Sequence, residues 1–304
     1  MTTGITATRG DDGLTTVDDP ERVENPRWYA IVWRSGKARV GIVILAVYVL
    51  VAIFAPLIAP YDPNRSDFEQ LLEPSAEHWL GTNTTGNDIF SQLIYGTRVS
   101  LLVGLLGGLF STVIALVVGL IAGYTEGTLI DEILSFVTNL AIVVPALPLM
   151  IVLVSYSEVR GLPLIVFVIG IISWAGHARA KRSQIITLRN RDFVTAAKFA
   201  GDSMWRIVFR EIMPNMISLV AAGFVGAATG AIGAEAGLSF LGLGDPRSVS
   251  WGTMLYQAQL QGAEAQGLWL WLLAPGLALS ILITALVFIN FGIDLVGNPH
   301  LRDD

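Results

Sequence analysis

Six apolar runs, separated by short charged or turn-rich stretches, dominate the hydropathy pattern of the chain. They cover residues 40–59, 99–124, 133–156, 162–176, 212–234 and 268–291. A membrane-spanning helix needs about 20 consecutive apolar residues, and five of the runs meet that length. The fourth, 162–176, is short, and the pattern leaves open a full span or a re-entrant segment. The expectation is an all-α, polytopic membrane protein with about six transmembrane helices.

Around these runs the chain divides into unequal parts. Residues 1–27 form an acidic, Thr-rich leader with few large apolar side chains, a composition that reads as disordered. Trp28, Tyr29, Trp33, Arg34, Lys37 and Arg39 make an aromatic and basic collar that suits an interfacial helix over 28–39. Residues 40–98 hold the first span and the segment after it. The core is expected over 99–298, with a long polar loop at 177–211, and 299–304 are a tail. No signal peptide is expected ahead of the first run.

Composition agrees with a membrane protein. Hydrophobic residues make up 53% of the chain and charged residues only 14%, against roughly 25% charged in soluble domains. There is no cysteine, which excludes disulfides, zinc-thiolate sites and thiol nucleophiles. His78, His177 and His300 are too few for a His-rich metal site. The net charge of −6 is less informative than where the basic residues fall. With six spans, Arg65, Arg98, Arg160 and Arg247 lie on one side, and every other Lys and Arg of the 19 lies on the other. The positive-inside rule makes that basic side cytoplasmic. Both termini and the 177–211 loop are then expected inside the cell, in a plasma (inner) membrane.

Several chemistries are absent. No G-x-x-x-x-G-K-[ST] loop occurs, so the chain carries no nucleotide-binding motif of its own. Neither a G-x-S-x-G elbow nor an H-E-x-x-H motif is present, and no basic run points to nucleic acid. The expectation is a non-enzymatic chain with no catalytic residues, no metal and no bound cofactor.

Two features inside the spans stand out. Gly223, Gly226, Gly230, Gly233 and Gly237 fall on one face of the fifth helix, and Gly104 and Gly108 make a similar pair in the second. Small residues let helix backbones approach closely in lipid. The glycine face is read either as a seam against a partner or pathway, or as packing within the chain. Glu235 is the acid deepest in a span, either functional by default or a brace for the turn after it. Thr138, Asn139, Thr229 and Asn290 either line a polar passage or bond neighbouring helices.

The 177–211 loop carries a regular pattern near its end. Phe193, Ala196, Ala197 and Ala200 fall at i, i+3, i+4 and i+7, one face of a short helix. Gly201 stands where a helix terminates in a left-handed residue, and Asp202 or Ser203 is placed to cap a second helix. That helix is expected to align Trp205, Val208, Phe209 and Ile212, with Arg206 and Arg210 off the stripe. Pro214 marks the entry to the fifth span.

The same stretch, Phe193 through Pro214, resembles the E-A-A-x3-G-x9-I-x-L-P signature of ABC importer permeases. Ala196, Ala197, Gly201 and Pro214 match it, whereas Thr195 stands in place of Glu and Met213 in place of Leu. His78-Trp79-Leu80-Gly81-Thr82-Asn83, Gly86-Asn87-Asp88 and Leu93 through Leu101 resemble an external segment of the C-type subunit of dipeptide and oligopeptide permeases. Asn83 and Asn87 depart from that pattern. Leu238-Ser239-Phe240-Leu241-Gly242-Leu243-Gly244 with Ser250-Trp251-Gly252, and the ending Asn298-Pro299-His300-Leu301-Arg302, are also similar to that family. The likeness spans roughly 35–302.

What the resemblance implies is specific. The fold is that of an ABC type I importer permease. A second homologous permease subunit, two ATP-binding subunits and an extracytoplasmic solute-binding protein are the expected partners, besides membrane lipid. ATP and Mg are used on the partner subunits. Phe193, Thr195, Ala196, Ala197, Ala200, Gly201, Asp202, Trp205, Arg206 and Pro214 form the ATPase-coupling loop. Peptides are the expected cargo and oligosaccharides the alternative. The competing class, an ATP-independent secondary transporter or channel, usually shows deep charges and inverted repeats, and neither is clear in this chain.

Overall fold

In the computed structural model, residues 33, 35–159 and 161–297 are described. The 1–27 leader, half of the 28–39 collar and the 298–302 motif lie outside the described residues. The described chain is helical, and its only β pairing is an isolated bridge between Thr82 and Asp88.

Five helical segments are long and apolar enough to cross a membrane: Gly36–Ile58, Ile89–Tyr124, Leu162–Arg189, Ile217–Leu243 and Trp269–Leu295. A sixth candidate is the pair Leu129–Val143 and Ala146–Ser155, bent by 84°. We number the helices α1 (Gly36–Ile58), α2 (Ile89–Tyr124), α3 (Leu129–Val143), α4 (Ala146–Ser155), α5 (Leu162–Ile172), α6 (Trp174–Arg189), α7 (Asp192–Phe199), α8 (Ile217–Leu238), α9 (Trp251–Leu260) and α10 (Trp269–Gly297).

Three of these elements differ from the sequence expectation, each for a local reason. The apolar run at 133–156 is broken rather than continuous. Val144 is extended and Pro145 follows it at the start of α4; proline removes a helical donor and disfavours helical backbone in the residue before it. The short run at 162–176 is the opposite case, because α5 and α6 continue as one span to Arg189. The first part of the 177–211 loop is therefore helix. Two of the charges beyond the run, Arg179 and Arg182, have partners. Arg182 is held by both carboxylate oxygens of Asp131, at 2.6 and 2.8 Å, and Arg179 donates to Asn139 Oδ1 at 2.6 Å.

The second span likewise begins before its charge. Asp88 caps α2, accepting from the Ser91 backbone N–H, and Arg98 lies inside the helix. Pro56 in α1 has no N–H to offer the carbonyl one turn back, at Ala52. Arg98 Nε donates to that carbonyl at 2.6 Å and a second guanidinium nitrogen to Ile53 at 3.3 Å. A proline-freed acceptor thus satisfies a cation.

Helix α2 is the hub. It packs on α6 and α8 through small residues. A Cβ added at Gly104 would stand 2.8 Å from the Ile232 side chain, and one at Gly108 2.8 Å from Ala228 Cα. At Gly119 and Gly123 the same test meets Ala178 O at 2.9 Å and Ile185 Cβ at 2.8 Å. With little hydrophobic drive between helices in lipid, such close contact and its dispersion energy hold the bundle.

Two ends of the bundle are organised differently. At the first, residues 59–88 and 239–268 fold over the helix ends. At the second lie residues 125–128 and 190–216, next to an Arg189 guanidinium nitrogen that donates to Tyr124 O at 2.6 Å.

Candidate functional site

The second end carries the segment singled out by its alanine and glycine pattern. Helix α7 ends at Phe199, and Gly201 has φ +81°. The Gly201 N–H donates to Lys198 O at 3.0 Å and the Asp202 N–H to Ala197 O at 3.1 Å. That pair of bonds is a Schellman termination, which places Gly201 in the left-handed region where a side chain is strained. A Cβ there would meet nothing within 4 Å, so conformation and not space selects glycine. Ser203 starts the next helix without a side-chain capping bond, while Asp202 pairs with Arg206 at 2.7 Å.

The stripe expected in the second helix is split. Met204–Arg206 is a short α-turn and Ile207–Ile212 is a π-helix. A π-turn takes more residues than an α-turn and rotates the faces. Ile207, Val208 and Ile212 are buried, whereas Trp205 is 60% and Phe209 53% exposed. The buried set joins Leu120, Ile185, Val194 and Met216 in one apolar cluster. The segment is thereby anchored on α2 and α6 from below.

Its outer side is bare and aromatic. Phe193 and Phe199 are exposed, Phe199 at 89%. Trp205 and Phe209 stack with ring centroids 6.0 Å apart. Thr195, Ala196 and Ala200 are exposed and Ala197 partly so, resting on the buried cluster. The expected alanine face is thus presented outward together with aromatic rings. Pro214 lies in the Met213–Asn215 turn before α8. Phe199 lies off the stripe of Phe193, Ala196, Ala197 and Ala200, so spacing gives no sign of its exposure.

At the first end, the other quoted motifs build a cap. Gly81 and Gly86 have φ near +77° and +76°, and a Cβ on either would run into a backbone carbonyl, Leu72 O and Phe68 O. Thr82 Oγ1 donates to Glu69 O at 2.7 Å and accepts from Leu72 N–H. His78 Nδ1 lies 2.9 Å from Asp88 Oδ1, both buried, and Asp88 Oδ2 takes the Ser91 N–H and hydroxyl. The His78 ring packs against Tyr61 and Phe68, and Leu80 lies against the cluster around Ile89 and Trp271. These residues close on one another through hydrogen bonds and ring contacts.

The second cap uses the Leu238–Gly244 and Ser250–Gly252 motifs. Ser250 and Thr253 form a reciprocal capping box for α9. Trp251 Nε1 donates to Leu93 O at 3.0 Å. Glu235 is buried, accepting from Ser239 Oγ at 2.6 Å, so it braces the turn after α8. Thr138 and Thr229 bond carbonyls of their own helices.

The glycine face of α8 is where the two readings part. Gly223 and Gly226 face His177 and Lys181 of α6, and Gly237 lies 3.8 Å from Leu147, each measured from an added Cβ. Gly230 and Gly233 are exposed and meet nothing within 4 Å. Within the chain the middle of that face is unpacked.

The comparisons with known proteins bear on both ends. The family described as binding-protein-dependent transport system inner membrane component matches residues 115–302. The N-terminal TM domain of oligopeptide transport permease C matches residues 34–74. The chain is similar to the oligopeptide transport system permease protein OppC of Bacillus subtilis, 35% identical over 73% of each chain. It is similar to the dipeptide transport system permease protein DppC of Bacillus subtilis, 32% identical over 89% of this chain and 85% of the relative. The DppC of Haemophilus influenzae is 33% identical over 90% and 94%.

Proposed function

We propose, from the premise that this chain belongs to the family of binding-protein-dependent transport system inner membrane components, that it is the permease subunit of an ATP-driven peptide importer. Its relatives are permease proteins of dipeptide and oligopeptide systems, which supports peptides as cargo. The chain supplies helices for the passage. A second homologous permease completes it, two ATP-binding subunits drive it with ATP and Mg, and an extracytoplasmic solute-binding protein delivers the cargo. The second end of the bundle, which holds most of the basic residues, faces the cytoplasm, and the two caps face outward.

One observation carries this reading. The 193–214 segment is anchored by buried Val194, Ile207, Val208 and Ile212 and shows its aromatic and alanine side to solvent. Exposed aromatics on a rigid, small-residue platform are what a partner's cleft engages. A motion of the ATPase pair would pass through α7 and the Schellman turn into α2 and α6.

The test compares Ala196→Trp, Gly201→Val and Gly201→Asn in the assembled importer. Ala196 is chosen over Ala197 because Ala197 touches the buried cluster. Ala196→Trp leaves membrane abundance and pairing with the second permease intact, but at least tenfold less ATPase co-purifies and uptake is lost. Gly201→Val strains the left-handed residue by about 1–2 kcal/mol and lowers uptake, while Gly201→Asn, which tolerates φ > 0, retains it. Normal uptake by Ala196→Trp would remove the coupling role from this surface.

A further inference from the structure

Among the described residues, a Lys side chain lies against one end of the glycine face of α8, at Gly223. Lys181, on α6, is only 1% exposed. Its Cβ lies over Gly119 of α2, 2.9 Å from where a Cβ there would stand, and its side chain runs toward α8. Nζ lies 2.9 Å from the Cβ position of Gly223, and His177 Nδ1 lies 3.9 Å from the same point. Among the described residues, neither nitrogen has a hydrogen-bond or ion-pair partner. Further along the same face, Gly230 and Gly233 are bare.

Its neighbours on α6 are different. Arg182 spends its charge on Asp131, and Arg179 has Asn139. A cation enclosed in a membrane bundle without a counter-charge is costly, and such residues mark the paths of charged solutes. The cost is repaid when an anion arrives along the open face.

We propose that Lys181, with His177 beside it, receives the C-terminal carboxylate of the peptide as it moves along the glycine face of α8. The inference rests on the peptide reading above. Peptides of different sequence share few groups, and a free carboxylate terminus is one of them. A passage that accepts many sequences can hold each by that group, while Gly230 and Gly233 leave room for varied side chains. An ammonium is a compact point charge without the bidentate grip of a guanidinium, which suits a site that must also let go.

The experiment uses the complete importer in proteoliposomes, with loaded binding protein at saturation. Uptake of one labelled peptide is compared with that of its C-terminal amide. Lys181→Met lowers uptake of the free acid roughly tenfold, the loss expected for one charge-assisted hydrogen bond. It leaves the amide unchanged, and Lys181→Arg restores part of the difference. Should Lys181→Met lower abundance, Lys181→Gln is read by the same acid-to-amide ratio per inserted complex. An equal loss for acid and amide, or no loss, overturns the proposal. Loss of the second permease from the purified complex would instead assign Lys181 to an acid of that subunit. If the unmodified importer moves neither peptide, the peptide reading itself fails.

Discussion

Arg98, Arg179 and Arg182 show how single residues decide where the helices run. Each is a charge that would ordinarily end an apolar run, and each has an acceptor supplied by a neighbouring element. Pro56 frees the Ala52 carbonyl for Arg98, and Asp131 meets Arg182 with two hydrogen bonds. Breaking such a pair leaves a charge without its partner, which costs more than the pair is worth. Asp131→Asn should therefore lower stability by about 2–3 kcal/mol, seen as a lower thermal midpoint in detergent. The double change Asp131→Asn with Arg182→Met should recover part of that loss. A double variant no better than the single would refute the pairing argument. These partners lie far apart in sequence, so span limits drawn at charges missed them. Gly201 was legible, because a helix stop followed by a capping residue is a local signal.

At the scale of elements, short-range patterns translated well and face assignments less so. The α7 helix, its glycine stop and the turn at Pro214 follow from spacing and local backbone chemistry. The π-helical Ile207–Ile212 does not, since an α-periodic stripe gives no sign of the wider turn that buries Ile207 and exposes Phe209. The break at Pro145 was present in the sequence as a proline within an apolar run, yet hydropathy averages over it. The two ends of the bundle carry distinct elements, and their placement across the membrane can be tested directly. The chain has no cysteine, so single cysteines report cleanly. Ser75 lies in the 59–88 cap, Gln259 on α9 and Ser203 beside the Schellman turn, and all three are exposed. In intact cells, Ser75→Cys and Gln259→Cys should react with an impermeant thiol reagent and Ser203→Cys should not. The reverse pattern would invert the orientation.

At the scale of the whole molecule, two surfaces stand uncovered among the described residues. Its glycine-lined α8 face is open, its aromatic surface at 193–214 is bare, and no nucleotide-binding motif occurs in its sequence. The architecture was legible because apolar length is a property of the whole chain. The partners' shapes were not, because a single sequence records only one side of each contact. The proposed function requires that this chain move peptides only as part of an ATP-driven complex. It is tested most directly by measuring accumulation of a labelled dipeptide in sealed proteoliposomes. The full set is this chain, the second permease, both ATP-binding subunits and the loaded binding protein, compared with the same set lacking this chain and with this chain alone. Accumulation should require ATP and every component, at least tenfold above either control. ATP-independent accumulation by this chain alone would contradict the account.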